Sequence, residues 1–221
     1  MYTLAIDTTA ASCAIALNSE EKNIECYVEE MDFGQAEVLL PKMKSILEKH
    51  KLTIHDINLL TICVGPGSFT GVRSSISAAR ALGLACPEME ILGVNAFEGY
   101  IQALKERPEE IAPINAVIIE TKREDFYFQA FDKHLHPITM PTATNKEEII
   151  AQLRHSKVTF LGNGVERFLS SPTGLSLHAI LNQKHLDIKD LALCGMEHYR
   201  KKEHNYPKPL YLRAPDVCLK S

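Results

Sequence analysis

The segment that most limits what this chain can fold into is an apolar run that passes directly into a glycine-rich turn. Residues 59–64 are almost continuously apolar, which is typical of a β-strand covered on both faces. The turn after it consists of Gly65, Pro66, Gly67, Ser68, Phe69, Thr70 and Gly71. A helical pattern over residues 70–86 follows, with Ser68 as its predicted N-cap. A buried strand, a tight turn and a helix in this order indicate an α/β fold.

The first half of the chain opens with strands and continues with helices. Residues 2–6, 12–17 and 23–29 predict three adjacent strands, and residues 36–50 predict an amphipathic helix. The predicted buried arc of this helix consists of Ala36, Leu39, Leu40, Met43, Ile46 and Leu47. Pro41 is expected either in the first turn or at a kink.

The second half repeats this pattern after a charged, proline-containing linker at residues 107–113. Its predicted elements are strands at 114–119, 126–131 and 157–161, a helix capped by Asn145, and a last helix at about 187–202. A strand at 91–94 and a helix from Asn95 to about 106 precede the linker. We therefore expect two mixed-sheet lobes, at residues 1–107 and 108–221, and the last helix is expected to pack back on the first lobe.

The composition is that of an ordinary globular chain: 221 residues, 45% hydrophobic, 24% charged, with a net charge of −4. Because no global positive field exists, nucleic-acid binding by the chain alone is not expected. Residues 184–213 carry 7 bases against 4 acids, so a solvated helix face and contact with a polyanion are both open there. The cysteines form no C-x-x-C pair and no apolar stretch approaches 18 residues, so we expect a cytoplasmic protein without membrane contact. They are Cys13, Cys26, Cys63, Cys86, Cys194 and Cys218.

The sequence lacks the common motifs of metal-binding, nucleophilic and phosphate-binding sites. None of the nine histidines stands four residues from another, so we expect no metal site, and the glycine-rich turn lacks the serine of a G-x-S-x-G nucleophile motif. The turn is no Walker A loop either, because Val72 and Arg73 follow Gly71 where lysine and Ser/Thr are required. Two interpretations of the turn remain: amides that attract an anion, or close packing of strand and helix.

The helix predicted after the turn has two different faces. The face expected to pack on the sheet consists of Val72, Ile76, Ala79, Leu82 and Gly83. The opposite arc collects Ser74, Ala78, Ala81 and Ala85, flanked by Arg73, Ser77 and Arg80. Such a smooth, nearly uncharged arc lets another helix approach closely. We interpret it as a docking face for a partner helix, with an alanine-rich solvent face as the alternative.

Residues 64–73 resemble the signature of the TsaB family, the accessory subunits of bacterial tRNA threonylcarbamoyladenosine synthesis. Supporting segments lie at residues 4–9, 37–41, 123–127, 162–164 and 209–213. The resemblance therefore reaches from end to end of the chain and is densest in its first half.

The resemblance implies a two-lobed α/β fold with mixed sheets, the ribonuclease H-like fold of actin, hexokinase and heat-shock chaperones. It also implies a protein with no catalysis of its own and no required cofactor. TsaB-like proteins bind TsaD, a paralogue that carries the metal and transfers the threonylcarbamoyl group to the adenosine beside the anticodon of tRNAs reading codons that begin with A. The ATPase TsaE joins them, tRNA is reached through the complex, and the TsaB-like subunit alone can form a homodimer through the same surface.

The resemblance places the docking surface on the two helices of the first lobe. The implied interface residues are Glu37, Leu40, Pro41, Arg73, Ser74, Ser77, Ala78, Arg80, Ala81 and Ala85. A vestigial nucleotide site is implied at Asp7, Thr8, Thr9, Gly162, Asn163 and Gly164, with ATP or ADP expected only in the complex. Nucleotide-binding members of the wider superfamily have glycines after the first-strand aspartate, where this chain has Thr8 and Thr9. The family commonly ends the strand after the linker in aspartate, where this chain has Glu120.

Two functions of different classes follow. The first is a non-catalytic subunit that binds and activates TsaD, favoured by the signature, the smooth helix face and the lack of metal ligands. The alternative is an ATP-dependent phosphotransferase on the same fold, with Asp7 near a metal-bound phosphate and residues 162–164 near adenine. The missing glycines after Asp7 count against this alternative.

Overall fold

Two five-stranded mixed sheets with the same strand topology form the two halves of the protein. The structure, a computed structural model, describes residues 1–20 and 22–213, so Cys218 lies outside the described residues. In each half the first three strands are antiparallel neighbours, and the fourth and fifth run parallel to the first on its other side. The expectation that one α/β pattern occurs twice is confirmed by this topology.

The first sheet has the order β3-β2-β1-β4-β5. Its strands are β1 (Tyr2–Asp7), β2 (Ser12–Ser19), β3 (Asn23–Glu30), β4 (Ile57–Cys63) and β5 (Glu90–Val94). The helices of this half are α1 (Gln35–Lys49), α2 (Phe69–Ala85) and α3 (Ala96–Gln102). Short 3-10 helices lie at Ile54–Asp56, Ala103–Glu106 and Pro108–Glu110. The helix expected from Asn95 to about 106 is therefore an α-helix that tightens into a 3-10 turn, and Asn95 caps it through the amide of Glu98.

The second sheet has the order β10-β9-β6-β7-β8. Its strands are β6 (Ile114–Glu120), β7 (Phe126–Asp132), β8 (Thr142–Thr144), β9 (Lys157–Leu161) and β10 (Ser176–Leu181). The helices are α4 (Lys146–Leu153), α5 (Val165–Leu169) and α6 (Ile188–Arg200). The sequence patterns did not predict β8 and β10, the two edge strands. β8 has three residues, and most side chains of β10 face solvent, so neither strand carries a strong apolar signal.

Helix α1 buries a narrower face than its sequence predicted. Leu39, Met43, Ile46 and Leu47 are buried on the first sheet, but Ala36 is exposed and Leu40 keeps 43% of its surface exposed. The prediction that all six apolar residues are core is therefore wrong for these two. Pro41 lies in the second turn of the helix rather than in the first. The unburied side of α1 faces the groove beside α2.

Helix α2 has the two faces that its sequence predicted. Val72, Ile76 and Ala79 are buried on the sheet, and Leu82 and Gly83 are half-buried. The hydroxyl of Ser68 accepts a hydrogen bond from the amide of Gly71, as expected of an N-cap. On the opposite side Ser77, Ala81 and Ala85 are exposed, and Ser74 and Ala78 are half-buried.

A single apolar cluster joins the two sheets. Phe97 and Tyr100 from α3 and Leu191 from α6 pack in it against Val117 and Leu161 of the second sheet. Because both lobes contribute to this cluster, separating them would expose buried apolar surface from each. The two halves therefore share one core in addition to the separate core on the outer face of each sheet.

Helix α6 follows the second sheet in the chain but packs against β1, β4 and β5 of the first. The approach depends on Gly195, since a Cβ there would stand 1.8 Å from Oγ1 of Thr61 on β4. Glycine at this position lets the helix axis lie close to the strand. In residues 1–20 and 22–213 no helix has the length and apolar character needed to cross a bilayer.

Gly195→Ala should destabilise the protein by about 2–3 kcal/mol, because the rigid, β-branched Thr61 cannot move away from the added methyl group. Gly83→Ala is the matched control. Its Cβ would meet only the flexible end of Ile91, so the gain in helix propensity of up to ~1 kcal/mol should offset the contact. Urea unfolding of both variants measures the difference, and equal stability of the two would contradict the close-contact account.

Candidate functional site

The signature turn at residues 65–71 packs directly on the turn between β1 and β2. A Cβ at Gly67 would stand 2.4 Å from the carbonyl oxygen of Thr9, and a Cβ at Gly71 would stand 1.8 Å from that of Thr8. Only glycine allows the two turns to approach this closely. The glycines of the signature are thus explained by the contact between two backbone segments.

Several amides of the signature turn are already bonded within the protein. The amide of Ser68 donates to the carbonyl of Thr9 at 2.7 Å, and the amide of Val72 donates to the carbonyl of Ser68 at 2.9 Å. The amide of Gly71 donates to the Ser68 hydroxyl at 3.3 Å. The bonds of Ser68 and Gly71, with the close contacts of the signature glycines, support the interpretation of the turn as close packing of strand and helix.

Thr8 anchors the first turn of α2 to the end of β1. Its hydroxyl donates to the carbonyl of Gly71 at 2.7 Å and lies 2.6 Å from the hydroxyl of Ser75, which donates to it in turn. Thr8 and Ser75 are fully buried, so these bonds form away from water. Thr8 therefore positions the start of α2.

The residues of the implied nucleotide site divide into two groups. Asp7, Thr9 and Asn163 line a cleft of about 650 Å³ between the lobes. Gly162 and Gly164 instead pack on β6, where a Cβ at Gly162 would stand 2.3 Å from the carbonyl oxygen of Ile118. The structure therefore brings part of this set together in the cleft and uses Thr8 and the two glycines for backbone contacts.

Asp7 is buried at the bottom of the cleft. Burial raises the pKa of its carboxyl above the usual range, and hydrogen bonds from Thr9 act in the opposite direction. Both bonds reach the same oxygen, Oδ1, from the amide at 2.8 Å and from the hydroxyl at 2.7 Å. The side-chain oxygen of Asn163 accepts from the amide of Glu120 at 2.9 Å. The side chains of Asp7 and Asn163 therefore each accept a hydrogen bond from a backbone amide at the edge of the cleft.

Glu120 is held in an ion pair at the edge of the cleft. Arg167 donates to both of its oxygens at 2.7 Å. Burial acts to raise the pKa of Glu120, but the hydrogen bonds and charge of Arg167 lower it overall. Within residues 1–20 and 22–213, no group of three His, Cys, Asp or Glu side chains is placed to hold a metal ion.

The uncovered sides of α1 and α2 form a shallow groove of about 590 Å³, which we call the helix-pair face. Six of the ten predicted interface residues line it: Leu40, Arg73, Ser74, Ser77, Ala78 and Ala81. The other four, Glu37, Pro41, Arg80 and Ala85, are exposed on the same two helices. Ala36, Phe69 and Thr70 also line the groove, although the sequence had assigned them to the core or to the turn. Most of the lining side chains are small, the large apolar ones are Leu39, Leu40 and Phe69, and Arg73 is the one charged residue among them.

The C-terminal segment, residues 203–213, reaches this face from the far end of the chain. It is held by two backbone hydrogen bonds, from Gly93 to Asn205 and from Leu210 to Val64, each 2.8 Å long. It then places the Tyr211 hydroxyl 3.2 Å from Nε of Arg73, which donates to it. The sequence did not reveal this contact, because 138 residues separate the two side chains.

Comparison with known proteins gives a family match over most of the chain. The family described as "TsaD: tRNA N6-adenosine threonylcarbamoyltransferase" matches residues 34–213. A protein of Escherichia coli K12 named tRNA threonylcarbamoyladenosine biosynthesis protein TsaB is 36% identical over 97 residues, which cover 44% of this chain and 41% of that protein. The Haemophilus influenzae protein of the same name is 27% identical over 205 residues, covering 86% and 79%. The E. coli match thus spans less than half of that relative's length.

Solved structures are similar over nearly the whole chain. A Pseudomonas aeruginosa structure described as an uncharacterized protein with similarity to peptidase YEAZ has a TM-score of 0.80 at 21% identity, covering 96% of this chain and 99% of that one. The activator of 2-hydroxyisocaproyl-CoA dehydratase from Clostridium difficile, solved with bound ADPNP, has a TM-score of 0.51 at 8% identity, covering 92% and 97%. The predicted two-lobed fold of the actin and hexokinase type is confirmed.

Thr8→Val should destabilise the protein by about 1–3 kcal/mol, because it removes the two buried hydrogen bonds that the Thr8 hydroxyl makes with the Gly71 carbonyl and the Ser75 hydroxyl. Thr3→Val is a matched control on the same strand: Thr3 is also buried, but its hydroxyl has no partner among the described residues. That variant should be as stable as the parent or more stable. Chemical unfolding compares the two, and a neutral Thr8→Val would contradict the anchoring role.

Proposed function

This chain belongs to the protein family of TsaD, the tRNA N6-adenosine threonylcarbamoyltransferase, and within it to the TsaB proteins of tRNA threonylcarbamoyladenosine biosynthesis; from that premise we propose that it is a non-catalytic subunit that binds and activates TsaD. The observation that carries the proposal is the helix-pair face, a preformed groove on α1 and α2 in which small side chains lie beside the exposed apolar surface of Leu40 and Phe69. The C-terminal segment contacts one end of this groove, where Tyr211 meets Arg73.

The chemistry of the face suits a helical partner. Ser74, Ser77, Ala78 and Ala81 let a facing helix approach closely, and Leu40 offers an apolar side chain that is 43% exposed in the free chain. Because α2 is fixed to β1 through Thr8 and the signature turn, the face needs no rearrangement before docking. In this proposal the subunit acts by presenting a rigid surface that orders TsaD.

The signature turn and the cleft support the non-catalytic part of the proposal. The bonded amides at the start of α2 and the engaged oxygen of Asp7 serve the fold of the chain itself. We propose that the isolated subunit requires no cofactor and that ATP or ADP enters only with the complex. Homodimerisation through the helix-pair face, the addition of TsaE and a cytoplasmic location stay predictions. So does contact of tRNA with the complex, for which Arg200, Lys201 and Lys202 are exposed at the end of α6.

Ala78→Arg should abolish co-purification with TsaD from the same organism and weaken binding roughly 100-fold, since a buried unpaired charge costs about 3 kcal/mol or more. Threonylcarbamoyladenosine formation by the mixture should fall with binding. Ala151→Arg, which adds the same charge at an exposed position on α4, is the control and should bind normally. Both variants should keep the thermal melting of the parent, and normal binding by Ala78→Arg would refute the assignment of the face.

The alternative, an ATP-dependent phosphotransferase, draws its support from Asp7 and Asn163, which line one cleft between the lobes. If the chain is non-catalytic, calorimetry of the isolated protein with Mg-ATP should show no micromolar binding, and coupled assays should show no turnover. Micromolar affinity with turnover that is lost in Asp7→Asn would overturn the proposal in favour of the enzyme.

A further inference from the structure

The charges of α2 are all of one sign. The helix carries Arg73 and Arg80 and no acidic residue. Neither guanidinium has a carboxylate partner among residues 1–20 and 22–213, whereas Arg107, Arg167 and Arg213 each pair with an acidic side chain. The two arginines are seven residues apart, which places them on one side of the helix about 10.5 Å apart along its axis. Together they form a basic line along the rim of the helix-pair face.

Both arginines lie against aromatic side chains, most of them from the C-terminal segment. The guanidinium of Arg73 lies 3.7 Å from the ring centre of Phe69 and donates from Nε to the Tyr211 hydroxyl at 3.2 Å. The guanidinium of Arg80 lies 5.9 Å from the ring centre of Tyr206. Stacking of this kind restricts an arginine side chain while its outer N–H groups stay available, so less entropy is lost when they bind.

From these contacts we propose that the partner that covers the helix-pair face is a helix with two carboxylates seven residues apart, which pair with Arg73 and Arg80. The inference rests on the proposed function and specifies the chemistry of the TsaD surface. A helix that packs nearly parallel to α2 keeps such a spacing in register along the rim, while its small and apolar side chains fill the groove. Bidentate pairing of arginine with carboxylate would then fix the register of the two helices.

A second copy of this chain fits the face less well. Helices α1 and α2 together carry two carboxylates, those of Glu37 and Glu48, of which Glu37 lies at the end of α1 nearest the groove, against Arg73 and Arg80. Glu48, further along α1, pairs with Lys44 on the same helix. A symmetric pair would therefore bring four arginines to one interface with two glutamates, which disfavours the homodimer relative to an acidic partner.

The test measures the Kd for purified TsaD of the same organism at roughly 50, 150 and 500 mM KCl, a range over which salt increasingly screens the attraction between exposed charges. For the parent chain the Kd should weaken roughly 10-fold over this range. The Arg73→Gln/Arg80→Gln double variant should bind roughly 10- to 100-fold more weakly at low salt, with little remaining salt dependence. Arg154→Gln, which removes an exposed charge on the second lobe, should behave like the parent. Tyr211→Phe, which removes only the hydroxyl bonded to Arg73, should give a smaller loss than the double variant.

The outcomes separate the inference from the function on which it rests. If the double variant keeps the affinity and salt dependence of the parent while Ala78→Arg does not bind, the inference is overturned and the docking function stands. If the parent chain does not bind TsaD at any salt concentration, both are overturned. Sedimentation of the chain alone gives an independent readout: the double variant should self-associate more strongly than the parent at 50 mM KCl, and weaker self-association would contradict the preference for an acidic partner.

Discussion

The close approach of two backbone turns determines the rest of this structure. Gly67 and Gly71 let the turn after β4 press against Thr8 and Thr9 at the end of β1, and the Thr8 hydroxyl then bonds to the first turn of α2. This contact sets where α2 begins and which of its sides faces outward. One arrangement thus fixes the position of α2 and joins it to the edge of the cleft that Asp7 and Thr9 line.

The shared core gives the protein its second structural constraint. The two sheets are joined by α3 and α6, whose apolar side chains belong to one cluster. Movement of one lobe against the other would have to expose that cluster, at a cost that grows with the apolar area uncovered. A stiff body of this kind suits a role in which one surface must keep its shape. In the proposed function, the two joined sheets form the rigid body on which the helix-pair face keeps its shape.

Much of the fold follows from periodicity in the sequence, and the failures have identifiable causes. The two faces of α2 were predictable because its apolar positions recur at the helical period. Leu40 on α1 fits the same rule and yet keeps 43% of its surface exposed, because periodicity predicts which residues share a face of the helix but not how much of that face the rest of the protein covers. β10 was missed because an edge strand with exposed side chains has no strong pattern. The Arg73–Tyr211 contact was unpredictable, since no local signal links residues so distant in sequence.

The position of α6 bears on how the chain folds as it leaves the ribosome. Leu59 and Leu92 of the first sheet pack against Met196 of α6, which is synthesised more than a hundred residues after either of them. Domains usually fold in the order of their synthesis, but this sheet cannot complete its burial until α6 has emerged. During translation the first half therefore exposes apolar strand surface for longer than an independent domain would, and chaperones that hold nascent chains have a defined segment to protect.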